Sequence, residues 1–148
     1  MSDYSSTQHY TALQNMYLAA PINQFYPPKV KITEGACEIS IETGEQHQHS
    51  AGGVHGSVYF KLLDDAAFFA ANSFEQEVFV LTTSFTTYLT RPIAQGRMCA
   101  AGKVVNKNRS QFIAESIVYD EQNREIGRGN GIFVRGKFLL KDAKGYGI

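Results

Sequence analysis

Two adjacent carboxylates, Asp64 and Asp65, sit in the middle of a run, residues 57–72, in which apolar side chains fall on nearly every side of a helical wheel. Burying a carboxylate costs several kcal/mol unless it has partners or a task. A carboxylate kept in such surroundings can take a proton from water or attack a carbonyl carbon itself. The one cation in the run, Lys61, stands three residues before Asp64 and four before Asp65, so on a helix either could be its ion pair. A purely structural ion-pair network is therefore the plain alternative to catalysis, and the residues alone leave the choice between the two aspartates open.

A second group precedes the run directly: Gly52-Gly53-Val54-His55-Gly56. Glycines there let a backbone approach a ligand closely, or form only a tight turn. The first N–H groups of a helix are unpaired and carry the positive end of its dipole, which suits a carbonyl oxygen gaining negative charge. At a rise of ~1.5 Å per residue, Asp64 stands about 12 Å down the helix from Gly56, so the two cannot serve one reacting atom within one chain. Two such helices running antiparallel across a two-fold axis would bring the first turn of one beside the middle of the other. Other chemistries are weaker. His47, His49 and His55 give His-x-His and a later His, without a carboxylate or cysteine at a defined spacing, so no metal is read. Ser57 beside His55 lacks the G-x-S-x-G elbow of a serine hydrolase.

The elements that must hold these groups follow from periodicity. Residues 1–8 are polar and read as frayed. Residues 10–20 place Leu13, Met16, Tyr17 and Ala20 at helical spacing, with Ser6 or Thr7 as cap and Pro21 as stop. Residues 29–33 and 36–41 alternate around Gly35 and read as a hairpin, and residues 45–53 form a polar loop. After the central helix, residues 78–89, 97–106, 110–120 and 125–135 read as four long strands, with separators short enough to predict antiparallel hairpins throughout. Residues 138–148 alternate poorly and read as a loose extension. The pattern is α+β: an antiparallel sheet around a helix too apolar for one sheet to cover, with the amino-terminal helix or a second subunit covering the rest.

Composition narrows the function classes. The 148 residues fit one domain. The 43% apolar content and a charged fraction of 19% are those of a globular chain, and the formal net charge of zero provides no field for nucleic acid or an anionic membrane. No signal-peptide pattern and no membrane-length apolar window is present, so a soluble cytoplasmic protein is expected. Cys37 and Cys99 read as free thiols.

At His55-Gly56-Ser57, followed by Leu62-Leu63-Asp64-Asp65-Ala66, the sequence resembles the hot-dog-fold acyl-CoA thioesterases, in particular the phenylacetate-pathway branch of the 4-hydroxybenzoyl-CoA thioesterase superfamily. Residues 88–92 (YLTRP), 100–106 (AAGKVVN) and 127–131 (GRGNG) add to the likeness, which runs from about residue 29 to residue 135. The resemblance implies a single hot-dog domain over 1–148, with residues 1–25 as a helical extension and 137–148 as the loose tail. It implies hydrolysis of an acyl-CoA thioester with no metal or organic cofactor, Asp64 acting on water or as nucleophile, and the Gly56 N–H of a partner chain polarising the carbonyl beside His55. Ser57 stands where the family has a second glycine. His49 occupies the place of an asparagine that orients water in some members. Thr82, Thr83 and Ser84 compete for the role of assisting the aspartate, with Thr83 taken as the candidate. Arg91, Lys103, Lys107 and Arg109 are the candidates for the CoA phosphates. The implied assembly is a homodimer required for the site, and a homotetramer built from it. Tyr59, Phe60, Leu63 and Phe68 are the expected acyl-pocket walls. A hydratase or dehydratase of the same fold, or a non-catalytic acyl-CoA sensor, are the rival readings.

Overall fold

The computed structural model describes residues 3–148. Its first helix, α1 (Ser6–Ala19), is capped by Ser5 and not by Ser6 or Thr7. The Ser5 hydroxyl accepts from the Gln8 N–H at 3.2 Å and the Gln8 side chain accepts from the Ser5 N–H at 2.9 Å. This reciprocal pair satisfies two orphan donors of the first turn, so residues 5–8 are ordered; of the stretch expected to fray, residues 1 and 2 lie outside the described residues. Pro21 ends the helix and opens a single 3₁₀ turn, Pro21–Gln24. The buried face of α1, His9, Ala12, Leu13, Met16 and Tyr17, follows the predicted period.

Strands β1 (Lys29–Thr33) and β2 (Ala36–Thr43) form the expected hairpin about Gly35, whose φ of +68° requires the left-handed region. The central helix, α2 (Gly56–Asn72), is followed by β3 (Val78–Leu89), β4 (Gly96–Lys107), β5 (Gln111–Tyr119) and β6 (Glu125–Leu139). All six strands make one antiparallel sheet in the order β1-β2-β4-β5-β6-β3. The α+β class and the helix wrapped by a sheet are as expected, and the arrangement is the hot-dog fold.

One connection differs from expectation. The link from β3 to β4 is not a hairpin, because β3 pairs with β6 at the far edge of the sheet. Residues 90–95 pass beside the start of α2, held by the Val54 N–H on the Ile93 carbonyl at 2.8 Å and by the Tyr59 hydroxyl donating to the Arg91 carbonyl at 2.8 Å. A short link can cross a sheet when it has such anchors, and local sequence does not display them.

The sheet lies tight on α2. A Cβ at Gly102 of β4 would fall 2.4 Å from the backbone of Ala66, so glycine sets this helix-to-sheet distance. Buried Ser116 of β5 donates to the Leu63 carbonyl at 2.7 Å. The second half of α2, residues 66–72, is buried on all sides because α1 covers what the sheet leaves open; in the first half, Ser57 and Phe60 remain exposed and Lys61, Asp64 and Asp65 half-buried.

The carboxyl terminus is not loose. Strand β6 continues to Leu139, and Leu140, with no exposed surface, donates its N–H to the Glu77 carbonyl at 2.9 Å. The Tyr146 hydroxyl meets His9 Nδ1 at 2.8 Å, while the other ring nitrogen of buried His9 donates to the Asn72 carbonyl at 2.9 Å. Burial holds the His9 pKa below its ordinary value, consistent with a neutral ring that donates on one side and accepts on the other. The tail thus clamps α1 over the end of α2. Leu140→Ala is expected to cost about 2–5 kcal/mol of stability in urea unfolding, against a fraction of that for a side chain in a loose tail.

Candidate active site

Asp64 lies in the third turn of α2 and faces β3. Its Oδ1 accepts from the Thr82 hydroxyl at 2.9 Å. It lines a cavity of about 360 Å³ between α2, β3 and the end of α1, whose other walls include Tyr17, Ile22, Phe68, Phe79 and Thr82. That volume is at the small end of pockets that enclose a small organic group. Burial in this apolar setting pushes the Asp64 carboxyl from 3.8 up to about 6; the Thr82 hydrogen bond opposes the rise, the Asp65 charge adds to it and Lys61 opposes it.

The adjacent carboxylate is differently placed. Asp65 Oδ2 receives Lys61 Nζ at 2.5 Å and the Tyr17 hydroxyl at 2.6 Å. The Lys61 ammonium also stands 5.2 Å and 5.4 Å from the ring centroids of Tyr17 and Tyr26. The geometry therefore gives the ion pair to Asp65 and leaves Asp64 with a single hydroxyl partner among the described residues. Neither Tyr17 nor Tyr26 carries a motif, and only the helical period of α1 marks Tyr17 as inward-facing.

Thr82, and not Thr83, is the hydroxyl on Asp64. A β-bulge falls between Thr82 and Ser84, leaving Thr83 as the extra residue, and its hydroxyl donates to the Ile132 carbonyl at 3.1 Å. The bulge breaks the strict alternation by which one would assign faces along β3. Of the expected acyl-pocket walls, Phe68 lines the cavity, whereas Tyr59 and Leu63 pack in the core and Phe60 stands outside against Phe85.

At the other end of α2, His55 is the N-cap: its Nδ1 accepts from the Ser57 N–H at 3.1 Å and meets the Ser57 hydroxyl at 2.7 Å. The Val58 N–H is taken by the His55 carbonyl at 3.0 Å. The Gly56 N–H is thereby the unpaired donor of this first turn among the described residues, and the Ser57 N–H, available in principle, is spent on the cap. Accepting at Nδ1 leaves the His55 proton on Nε2 and makes the ring a donor. His49 behaves alike, its Nδ1 accepting from the Ala51 N–H at 3.1 Å, in a turn where Gly52 has φ +84°. His47 is buried against the Tyr26 ring, with Nδ1 accepting from the Gly44 N–H at 3.0 Å. Among the described residues, no group of three or more His, Cys, Asp or Glu side chains is placed to hold a metal ion.

The four candidate phosphate ligands do not converge within the chain. Arg91 is exposed beside the start of α2. Lys103 pairs with Glu115 across β4 and β5 at 3.4 Å, and Lys107 Nζ lies 3.8 Å over the Phe74 ring beyond the other end of the helix. Arg109, in the β4–β5 turn, receives Arg135 on its carbonyl at 3.1 Å.

The sheet wrapped around one helix is the hot-dog arrangement, with the helical aspartate and the open helix terminus as its candidate chemical groups. The profile described as "Thioesterase superfamily" matches residues 51–126, just over half of the chain. The fold is similar to that of the E. coli PaaI protein from the phenylacetic acid degradation operon, at 20% identity over 89% of this chain and 98% of that one, with a TM-score of 0.79. A variant of the phenylacetic acid degradation protein PaaI from Thermus thermophilus superposes with a TM-score of 0.72 at 24% identity, over 79% and 100% of the two chains. A thioesterase from Haemophilus influenzae gives 0.73 at 15% identity, over 81% and 85%. Among curated proteins no sequence matches significantly. The chain belongs to the thioesterase superfamily, hydrolases of thioester bonds whose general substrates are acyl-CoA thioesters. Among the described residues, no helix is long and apolar enough to cross a membrane.

Proposed function

We propose that this protein hydrolyses an acyl-CoA thioester by water attack, with Asp64 as general base and the Gly56 N–H of a partner subunit as the donor to the developing oxyanion. The observation that carries the reading is the Asp64 carboxylate, held by Thr82 at the wall of an apolar cavity and unencumbered by the nearby lysine. With a pKa near 6, the carboxylate is mostly ionised at pH 7 and remains basic enough to accept a proton from water. Thr82 orients it. His49, as a donor near the helix entrance, is suited to holding the water or the thioester carbonyl. Arg91, exposed beside α2, is the candidate for a CoA phosphate. With Nδ1 engaged by the helix cap, the His55 ring offers an N–H donor at Nε2 and no free acceptor nitrogen to serve as a base, which favours hydrolysis over hydration.

Strand β3 supports the dimer. It is 12 residues long and lies at the edge of the sheet, with Leu81, Tyr88 and Leu89 about half exposed at 50%, 55% and 53%; Phe60 of α2, at 42%, continues the apolar strip. A long bare edge of this kind invites another strand, and pairing two copies of β3 across a two-fold axis would set the two α2 helices antiparallel. Thiol release should be measured over a panel of acyl-CoA esters of increasing length and with aryl acyl groups, beside light scattering. The expected result is CoA release by a particle of at least twice the 16.4 kDa chain mass. An active monomer, or no release from any ester, would overturn the reading. In the same assay kcat/KM should rise with pH through about 6 and then level, because the base works only when deprotonated.

A further inference from the structure

Asp65 adjoins the proposed base, yet its Oδ2 is engaged elsewhere by two donors. A lysine three residues before Asp64 on a helix is within reach of it, and Lys61 is the one cation lining this cavity among the described residues. Instead, its ammonium rests on Asp65 at 2.5 Å, between the rings of Tyr17 and Tyr26, while the Tyr17 hydroxyl fixes the same carboxylate oxygen at 2.6 Å. An ammonium bonded directly to Asp64 would stabilise its anion and weaken it as a base. We propose that Asp65 is a positioning residue that holds Lys61 off Asp64, with Tyr17 of α1 fixing Asp65 in turn, so that the base stays free to take a proton from water. This rests on the reading of Asp64 as general base.

The arrangement also gives α1 a part in catalysis, because the tyrosine that locks Asp65 comes from outside the sheet and helix that form the fold. The titratable and charged groups facing this corner are few. Helix α2 supplies Asp65 and Lys61, α1 supplies Tyr17, and Tyr26 faces Lys61 from the segment after the 3₁₀ turn. From β2, Cys37 lies close enough to feel Asp65; burial keeps it a neutral thiol, as it keeps Tyr17 a neutral phenol that can only donate to Asp65. Strand β3 brings only the Thr82 hydroxyl among its polar groups at the cavity.

The test is Asp65→Asn, alone and combined with Lys61→Met, which keeps the length of the lysine stem and removes its charge. Asparagine still accepts from Tyr17 but carries no charge to compete with the Asp64 carboxylate for the ammonium, so Lys61 should turn to Asp64. The acid limb of kcat/KM is then expected to move down by about 1–3 pH units, the shift an adjacent cation typically produces, and the plateau should fall. The Asp65 charge by itself raises the Asp64 pKa, so Lys61→Met is also made alone. Added to Asp65→Asn, it should restore both limb and plateau by far more than it shifts the wild type, a non-additive rescue that neither lost packing nor lost charge at fixed geometry can give. An equal shift in the two backgrounds overturns the proposal. Titration of the Asp64 carboxyl carbon by NMR reads the same downward shift and its restoration without turnover. An Asp64 titration unchanged by Asp65→Asn, or a loss of rate that Lys61→Met deepens, overturns the proposal. Absence of thioester hydrolysis by the wild type, with the NMR shift present, would instead sink the general-base reading.

Discussion

Replacing Asp64 by asparagine should abolish thioester turnover and at the same time make the protein harder to unfold at pH 7. The first effect follows from the loss of the group that accepts the proton of water: a positioned general base contributes typically 10²–10⁴-fold, and asparagine can still accept from Thr82 while being unable to take a proton. The second effect follows from the same burial that tunes the base. The folded-state pKa of Asp64 is about 6 against 3.8 in an unfolded chain, so the native state binds its proton more tightly than the unfolded state does. Stability therefore falls as pH rises from about 4 through 6, and at pH 7 the wild type carries the whole cost of an ionised, half-buried carboxylate. Discounted for its partial contact with water, that cost is on the order of 1–2 kcal/mol. Asparagine removes it. The melting temperature of Asp64→Asn should exceed that of the wild type by a few degrees at pH 7, with the difference shrinking toward pH 4, where Asp64 is protonated in the wild type as well. A structural aspartate would behave oppositely, since loss of a stabilising partner lowers the melting temperature at neutral pH. Thermal scans at the two pH values, run beside the thiol-release assay, separate the cases.

What could be read from residue order, and what could not, divides along the reach of each interaction. The α2 helix and the long strands are legible because their signals are local: an unbroken apolar helical run and alternating β-branched and aromatic residues. The motif His55-Gly56 with Asp64 marks the proposed site within this frame. The crossing of the sheet by residues 90–95 is not legible, since what holds that link are the Val54 and Tyr59 bonds to the carbonyls of Ile93 and Arg91, formed across more than thirty residues of chain. The order of the tail is hidden for the same reason: residues 140–148 have little periodicity of their own and are held by α1 through His9 and Asn15. Choosing among Thr82, Thr83 and Ser84 needs the bulge, which shifts register without leaving a glycine or proline to announce it. And Lys61 stands within helical reach of both aspartates, so only the position of Tyr17 on the other helix decides which of them it serves.

Gly56→Pro should retain the fold and lose most of the activity. Proline is suited to the first position of a helix, where its missing N–H would have no intrahelical acceptor. The residue before it must be extended, and His55 already is, with φ −62° and ψ 141°. A side chain at position 56 would meet Leu89 Cδ1 2.9 Å from the new Cβ, the movable end of an exposed side chain that can give way. What the substitution takes away is the one first-turn donor that neither His55 nor the helix uses. Removing a single oxyanion-hole donor costs about 10²–10³ in kcat, and the loss should fall on kcat more than on KM, because the interaction strengthens as charge develops on the carbonyl oxygen. Gly56→Ala is the control: it brings the same Cβ against Leu89 but keeps the N–H, and should retain most of the rate. If the alanine and proline variants lose activity equally, contact with Leu89 is responsible and the backbone donor is not. If the proline variant is as fast as the wild type, the oxyanion is held elsewhere, and the reason for requiring a second subunit at the site disappears with it.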